Sequence, residues 1–211
     1  MTSSELSSMP IGQAIASRVS ADRFEPGRPL ADETLAALVA QASLSPSAYN
    51  LQNWRFIAVR TPEAKARLKA AAYGQQKVED ASAVFIVCGT LAAHARLAEF
   101  LQPSVDSGVM SQRTADGWVA QAHAAHADNR QLQRDGAVRS ASLAAMTLML
   151  SAQGLGLASC PMVGFDAELL AAGFGLQAHE LPVMLVAVGH AAGTLRPQKT
   201  RRPLADILAY A

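Results

Sequence analysis

Basic and hydroxyl side chains near the two ends of the chain could together bind an anionic group. Arg18-Val19-Ser20 places a guanidinium and a hydroxyl two residues apart, and such a pair can hold a phosphate through several hydrogen bonds. Near the C-terminus lies the densest basic cluster of the chain, formed by Arg196, Lys199, Arg201 and Arg202. Solvated surface charge is the alternative interpretation, and the residue types alone do not exclude it.

The segment 45–54, Ser-Pro-Ser-Ala-Tyr-Asn-Leu-Gln-Asn-Trp, is a second candidate site. It joins a predicted helix to a predicted strand and carries small hydroxyls together with the carboxamides of Asn50 and Gln52. Such a loop can bring hydroxyl and amide groups against a polar heterocycle. An ordinary Asx-rich turn explains the same residues equally well.

Metal and thiol chemistry are not expected. His123 and His126 lie one helical turn apart, but a third ligand would have to come from another helix, at His94. Cys88 and Cys160 lie in apolar runs, where cysteine is usually a small buried hydrophobe of a reducing compartment. The sequence contains no dinucleotide-binding glycine motif, Walker loop, nucleophile elbow or C-x-x-C.

Composition predicts one globular domain over residues 1–211. Half of the 211 residues are hydrophobic, and the net charge of +1 argues against nucleic acid as a partner. No apolar run approaches the roughly 20 residues that span a bilayer. Met1–Met9 lacks the pattern of a secretion signal. We therefore expect a cytoplasmic protein without a membrane partner.

Apolar periodicity predicts a sheet covered by helices, in the α/β or α+β class. Thr61-Pro62-Glu63 predicts a helix over Pro62–Tyr73, and Asp32 is predicted to cap another helix. Further helices are expected at Ala92–Leu101, at Ser111–Asp128 and after Asp166, and strands at Phe56–Val59, Ala83–Cys88, Leu155–Cys160 and Val183–Val188.

The longest predicted helix is Val138–Gln153, with Gly154 as its C′ residue. It is apolar or small nearly all round, which is typical of a helix buried on several sides. Two interpretations stay open: the helix forms a subunit interface, or it lies in the core of its own chain. If the helix is an interface, Ala145→Glu is expected to release monomers.

The loop resembles a known motif. Pro46-Ser-Ala-Tyr-Asn-Leu-Gln-x-Trp54 is similar to the P-S-x-x-N-x-Q-x-W loop of the FMN-dependent nitroreductase family. Arg18-x-Ser20, Pro161-x-x-Gly164-Phe165, the strand Val183–Gly189 and Lys199-x-Arg201-x-Pro203 resemble further motifs of that family, in the same order. The resemblance covers nearly the whole chain.

This resemblance implies an α+β fold in α/β/α layers, with a mostly antiparallel sheet and an intertwined homodimer that binds FMN at its interface. NAD(P)H would be the electron donor and a quinone or nitroaromatic small molecule the acceptor. Arg18, Ser20, Lys199 and Arg201, with Val19 beside them, would hold the FMN phosphate. Pro46, Ser47, Ala48 and Asn50 would reach the flavin from the partner subunit. Gly164 would offer its N–H to flavin N5, and Lys77 would lie near N1 and O2.

Three positions depart from the family pattern. Gly74 replaces an asparagine that reaches the flavin in many members, so Gln75 or Gln76 would have to supply that hydrogen bond. Val163 replaces an acidic residue, and Asn53 stands where proline is common. Specialised reductases, flavin-consuming enzymes and a non-catalytic flavin-binding protein are the alternatives, and an insertion that forms a lid, in Gln102–Asn129, would favour the first two.

Overall fold

A single antiparallel sheet organises the structure, a computed structural model that describes residues 9–211. All but the last residue of Met1–Met9 thus lie outside the described range. The sheet contains β1 (Trp54–Val59), β2 (Ala83–Thr90), β3 (Ala158–Met162) and β4 (Glu180–Gly189). Its order is β1-β2-β4-β3, and each neighbouring pair is antiparallel.

The described residues also form eight α-helices. These are α1 (Ile11–Ser17), α2 (Asp32–Ala42), α3 (Pro62–Ala71), α4 (Gln76–Asp80), α5 (Leu97–Asp106), α6 (Gln112–His126), α7 (Arg130–Gly154) and α8 (Ala167–Phe174). Short 3₁₀ helices lie at Ala48–Asn50, Ala93–Arg96 and Leu204–Asp206. None of the helices in the described part of the chain has the length and apolar character needed to cross a membrane.

Helices cover both faces of the sheet because its inner strand β2 is apolar on both sides. Val84 and Ile86 lie in one buried cluster, together with side chains of α3 and α8. Phe85 and Val87 lie in the other, together with side chains of α2 and α7. This alternation follows the two-residue period of a strand. The predicted α+β fold in three layers is confirmed.

A capping side chain marks the start of α3 but not the start of α2. The Thr61 hydroxyl accepts a hydrogen bond from the N–H of Ala64 at 3.3 Å, and α3 begins at Pro62 as predicted. It ends at Ala71 rather than Tyr73, because Tyr73 has a left-handed φ of 53°. The prediction for Asp32 is wrong: it is the first residue of α2, and its carboxylate pairs with Arg60 instead of capping.

The longest helix, α7, begins at Arg130, well before the predicted Val138. The side chain of Asn129 accepts the N–H of Leu132 at 2.9 Å and so caps the earlier turns. The prediction of Gly154 as the C′ residue is also wrong, since Gly154 is helical and Gly156 adopts the left-handed φ of 70°.

Within the chain, α7 is a central core helix. Ala141 and Ala145 are fully buried against the sheet. A Cβ added to Gly89 of β2 would lie 2.8 Å from Ala137 of α7, so small residues allow the close approach. The expectation that Ala145→Glu simply releases monomers is therefore wrong, because the new carboxylate would enter the core. On the outer side, Leu143 and Met146 remain 43% and 37% exposed.

The strand ends differ from the apolar runs that predicted them. β1 begins at Trp54 and β4 at Glu180, because backbone pairing with β2 continues beyond the apolar residues. β3 covers Ala158–Met162 instead of Leu155–Cys160. The Leu157 N–H bonds to the Ala152 carbonyl at 2.9 Å, which keeps residues 155–157 in the turn that ends α7.

Residues 93–126 form a separate helical layer beside the loop 45–54. The first predicted helix divides into the 3₁₀ turn Ala93–Arg96 and α5. The second, α6, follows Ser111, whose hydroxyl accepts the N–H of Thr114 at 3.1 Å. Leu97 and Leu101 of α5 pack with Leu51 of the loop. The region Gln102–Asn129 thus consists mainly of ordered helices packed on the loop.

Candidate functional site

The segment Arg18-Val19-Ser20, which follows α1, lies against the C-terminal segment 196–201. The side-chain amide of Gln198 donates a hydrogen bond to the Arg18 carbonyl at 2.7 Å and so joins the two ends of the chain. Ser20 forms an isolated bridge with Ser159 of β3, which attaches this segment to the sheet. A cavity of about 130 Å³ results, lined by Arg18, Val19, Ser20, Asp22, Arg196, Pro197, Gln198, Lys199 and Arg201.

This basic cavity carries an excess of positive charge. Among its described lining residues Asp22 alone is acidic, and it pairs with Arg196 at 3.1 Å. Arg201 donates to the Lys199 carbonyl at 2.7 Å, which is a neutral acceptor. The Nη1 atom of Arg18 is buried and has no hydrogen-bond partner within residues 9–211. A buried donor without a partner is costly, so the cavity suits an anion that accepts hydrogen bonds from Arg18.

Lys77 extends the positive surface from the basic cavity towards β3. Its ammonium group donates a hydrogen bond to the sulfur of Cys160 at 3.5 Å. Burial raises the pKa of the Cys160 thiol, although the charges of Lys77 and Arg18 oppose the shift. Burial likewise raises the pKa of Cys88 to about 12. Both cysteines are buried and free, so neither is an activated thiolate.

Gln75 and Gly164 meet at the end of β3. The Gln75 side chain donates a hydrogen bond to the Gly164 carbonyl at 3.0 Å. Gln76 points elsewhere, since it accepts from Lys69 at 2.7 Å. Val163 is 72% exposed beside this contact. Of the two glutamines considered as substitutes for the missing asparagine at Gly74, the geometry therefore favours Gln75.

The loop 45–54 is held in place at several points. The hydroxyls of Ser45 and Thr147 are hydrogen-bonded at 2.7 Å, which ties the start of the loop to α7. The hydroxyl of Ser47 accepts the N–H of Gln52 at 2.9 Å, closing the loop on itself. These bonds make the loop an ordered element with a defined shape.

Backbone strain accompanies this shape. Tyr49, Asn50 and Gln52 have φ values of 53°, 56° and 45°, in the left-handed region that side chains disfavour. Such strain persists where surrounding contacts impose it, and it clusters at functional sites. The loop opens onto a cavity of about 380 Å³, lined by Pro46, Ser47, Ala48, Tyr49, Leu51, Asn53, Ala125, His126, Leu132, Gly136, Arg139, Ser140 and Leu143.

Apart from Gln75, Lys77, Val163 and Gly164 near β3, the candidate residues fall into two groups. Arg18, Val19, Ser20, Lys199 and Arg201 share the basic cavity, while Pro46, Ser47 and Ala48 line the larger loop cavity. Asn50 is exposed on the same loop. Within one chain the structure does not bring the two groups into a common cavity.

Comparison with known proteins assigns the chain to a family. The model of the Nitroreductase family matches residues 15–190 of the chain. The chain belongs to the nitroreductase family. It is therefore an enzyme of an oxidoreductase family, and its three-layer architecture is the nitroreductase fold.

Three known proteins are similar to this nitroreductase over most of its length. A Bacillus subtilis protein named as an NAD(P)H nitroreductase, MhqN, is 35% identical over 196 residues, covering 92% of this chain and 95% of that protein. The oxygen-insensitive NAD(P)H nitroreductase of Salmonella typhimurium is 30% identical over 201 residues, covering 86% and 89%. A protein from Exiguobacterium sibiricum, described as a nitroreductase in complex with FMN, has a TM-score of 0.91 at 27% identity, covering 97% and 99%.

The residues of the loop cavity that sequence reasoning missed lie mostly on α7. Gly136, Arg139, Ser140 and Leu143 recur at the three- and four-residue spacing of one helix face. That spacing is visible in the sequence, but the predicted helix begins at Val138 and therefore does not include Gly136. The face therefore could not be recognised as a cavity wall.

Three histidines of this nitroreductase come together behind the loop. The ring of His94 stacks on His126 at 5.7 Å between centroids and meets His123 edge-to-face at 5.8 Å. The Nδ1–H of His126 donates a hydrogen bond to the Ala122 carbonyl at 2.8 Å. Within residues 9–211 no group of three or more His, Cys, Asp or Glu side chains is arranged to hold a metal ion.

The histidine cluster predicts a loss of stability in weak acid. Burial lowers the pKa of His94 below the usual value for histidine, and the neighbouring His126 and His123 lower it further. The unfolded chain therefore binds a proton at a higher pH than the folded chain. The free energy of unfolding is therefore unaffected by the titration of His94 above about pH 6.5, and it decreases as the pH falls below that value. Denaturant unfolding of wild type and His94→Asn at pH 7.5 and 5.5 measures this effect. Between the two pH values, we expect the free energy of unfolding to fall less in the variant than in wild type. Equal decreases in the two proteins would contradict the prediction.

Proposed function

We propose that this nitroreductase is an NAD(P)H-dependent flavin oxidoreductase that holds the phosphate of FMN in the basic cavity. The buried Nη1 of Arg18 carries the proposal, because this donor of the basic cavity makes no hydrogen bond within residues 9–211. Ser20, Lys199 and Arg201 line the same cavity and supply further donors. A dianionic phosphate monoester matches this excess of positive charge.

The flavin ring would lie along the surface from Lys77 to Gly164. When bound there, FMN would supply the chemistry of hydride transfer between NAD(P)H and the acceptor. Gly164 is exposed, and its N–H donates no backbone hydrogen bond among the described residues, so it is available to N5. Lys77 holds a positive charge beside the ring, where it stabilises negative charge. Gln75 supplies an amide near the same edge.

A second copy of the chain would complete the site. Pro46, Ser47, Ala48 and Asn50 lie apart from the basic cavity of their own chain, so they would contact the flavin of the partner. Exposed apolar side chains on α1 and α7, namely Ile11, Ile15, Leu143 and Met146, offer a face for this homodimer. Large apolar interfaces are typical of obligate dimers.

The acceptor is proposed to be a quinone or a nitroaromatic compound. The protein needs to supply no general acid or nucleophile for this reaction, which agrees with two thiols that burial keeps protonated. The site must instead orient flat molecules in turn against the flavin. The loop cavity is mostly apolar in its lining, as suits an aromatic small molecule.

A visible spectrum of the purified protein, followed by titration with NAD(P)H, tests the proposal. We expect yellow absorbance from bound FMN, bleaching by NAD(P)H, and recovery when a quinone or nitroaromatic is added. Protein that stays colourless after FMN is supplied would overturn the cofactor. Bleaching without recovery by either acceptor class would support a specialised reductase instead, and no bleaching at all would support a flavin-binding protein without turnover.

A further inference from the structure

Asn53 and His94 each carry a polar atom that lacks a partner. Asn53 is 4% exposed and His94 is 8% exposed. Within the described residues, neither Asn53 Oδ1 nor His94 Nδ1 has a hydrogen-bond partner, although both atoms are buried. Both side chains line one cavity of about 10 Å³ between the start of β1, the turn Ala93–Arg96 and α7. This is about the room that one water molecule needs.

Water is the molecule that satisfies both atoms at once. The oxygen of the Asn53 carboxamide only accepts hydrogen bonds, whereas the Nδ1 of His94 donates or accepts according to its tautomer. A single water can donate to the first and either accept from or donate to the second. Leaving two buried polar atoms without partners would be far less favourable, and nearly all such atoms in folded proteins are paired.

The two residues close a ring of contacts around the loop. His94 stacks on His126, which meets Tyr49 edge-to-face at 6.3 Å. Tyr49 lies in the strained part of the loop, and Asn53 lies where the loop enters β1. The Asn53 carbonyl accepts the N–H of Thr90 at 2.9 Å, so this end of the loop is fixed to the sheet. His94 is therefore connected to Tyr49 through His126, and a water shared with Asn53 would connect it to the other end of the loop.

We propose that Asn53 and His94 bind one buried water molecule, and that this bridge positions the loop residues 46–50 that contact FMN. Both are positioning residues, since they act on the flavin through the loop and touch neither FMN nor the acceptor. The link to FMN rests on the proposed function, because that function makes residues 46–50 flavin contacts. The water bridge itself rests only on the two buried atoms and their shared cavity.

A double-mutant cycle on the full-length protein tests the bridge. Asn53→Leu and His94→Phe each remove the polar atom that lacks a partner, together with the other polar atom of the same side chain, and keep a similar shape. We expect each single variant to raise the Kd for FMN about tenfold, and the double variant to raise it about tenfold as well rather than about a hundredfold. His94→Asn keeps a polar atom near the Nδ1 position and should recover most of the affinity. His179→Phe, at an exposed histidine elsewhere, should bind like wild type.

Hydrogen exchange of the FMN-free protein provides a second readout. We expect amides of the peptide 45–54 to exchange about tenfold faster in each single variant, with no further increase in the double variant. If wild type binds no FMN, the proposed function fails while this measurement still tests the bridge. Effects that multiply in the double variant, or a loop that exchanges at the wild-type rate in all variants, would overturn the bridge. A crystal structure with a direct Asn53–His94 hydrogen bond would also overturn it.

Discussion

Replacing Arg18 by alanine is expected to weaken FMN binding about a hundredfold while the FMN-free protein stays as stable as wild type. Arg18 lines the basic cavity, and its Nη1 makes no hydrogen bond within residues 9–211. A hydrogen bond to a charged group contributes about 1.5–3 kcal/mol. Because about 1.4 kcal/mol is tenfold in Kd, losing one or two such bonds gives this effect. In the FMN-free protein the substitution removes a buried donor that has no partner, so it changes the free energy of unfolding little.

Thermal unfolding with and without FMN measures both the binding of FMN and the stability of the FMN-free protein. FMN raises the Tm of wild type by mass action, and Arg18→Ala should lose that rise while keeping the Tm of the FMN-free protein. Arg18→Lys should recover only part of it, because lysine lacks the planar pair of donors. Arg202→Ala is the matched control, since Arg202 bonds to the Asp206 carbonyl at 2.9 Å and does not line the cavity. A lower Tm with unchanged FMN affinity would make Arg18 a structural residue.

The residue types of the basic cavity indicated either an anion site or surface charge, and only the family motifs favoured a phosphate site. Arg18 and Lys199 lie at opposite ends of the chain, and no local pattern indicates that Gln198 joins them by its bond to the Arg18 carbonyl. The same limit applies to the histidines. The spacing of His123 and His126 is local, but the stacking of His94 on His126 depends on how the turn Ala93–Arg96 packs on α6.

Local capping signals located the starts of α3 and α8 correctly, whereas the predictions at Asp32 and Gly154 were wrong. Asp166 caps α8 as expected, because its side chain accepts the N–H groups of Glu168 and Leu169 at 3.0 and 2.9 Å. By contrast, the strand predicted over Leu155–Cys160 is displaced, since a run of apolar residues does not show where helix ends and strand begins. The cap at Asn129 was overlooked because the first turns of α7 are polar.

Charge placed on α7 should have opposite consequences at two adjacent positions. Ala145 is fully buried against the sheet, so Ala145→Glu should unfold the protein, with a loss of about 4 kcal/mol or more of unfolding free energy. Met146 is 37% exposed on the outer side of the same helix. Met146→Glu should leave the fold intact but release monomers, because the carboxylate would have to enter the proposed dimer interface.

The monomer produced by Met146→Glu should also lose FMN affinity, although Met146 lines neither cavity. In the proposed dimer, Pro46 and its neighbours reach the flavin from the partner chain, so a folded monomer would retain the basic cavity and lack the covering loop. Sedimentation, circular dichroism and FMN titration of the same samples measure assembly, folding and binding separately. Met146→Leu is the matched control and should remain a dimer with FMN. A folded Met146→Glu monomer with wild-type affinity would contradict the shared site, because one chain would then suffice to hold the flavin.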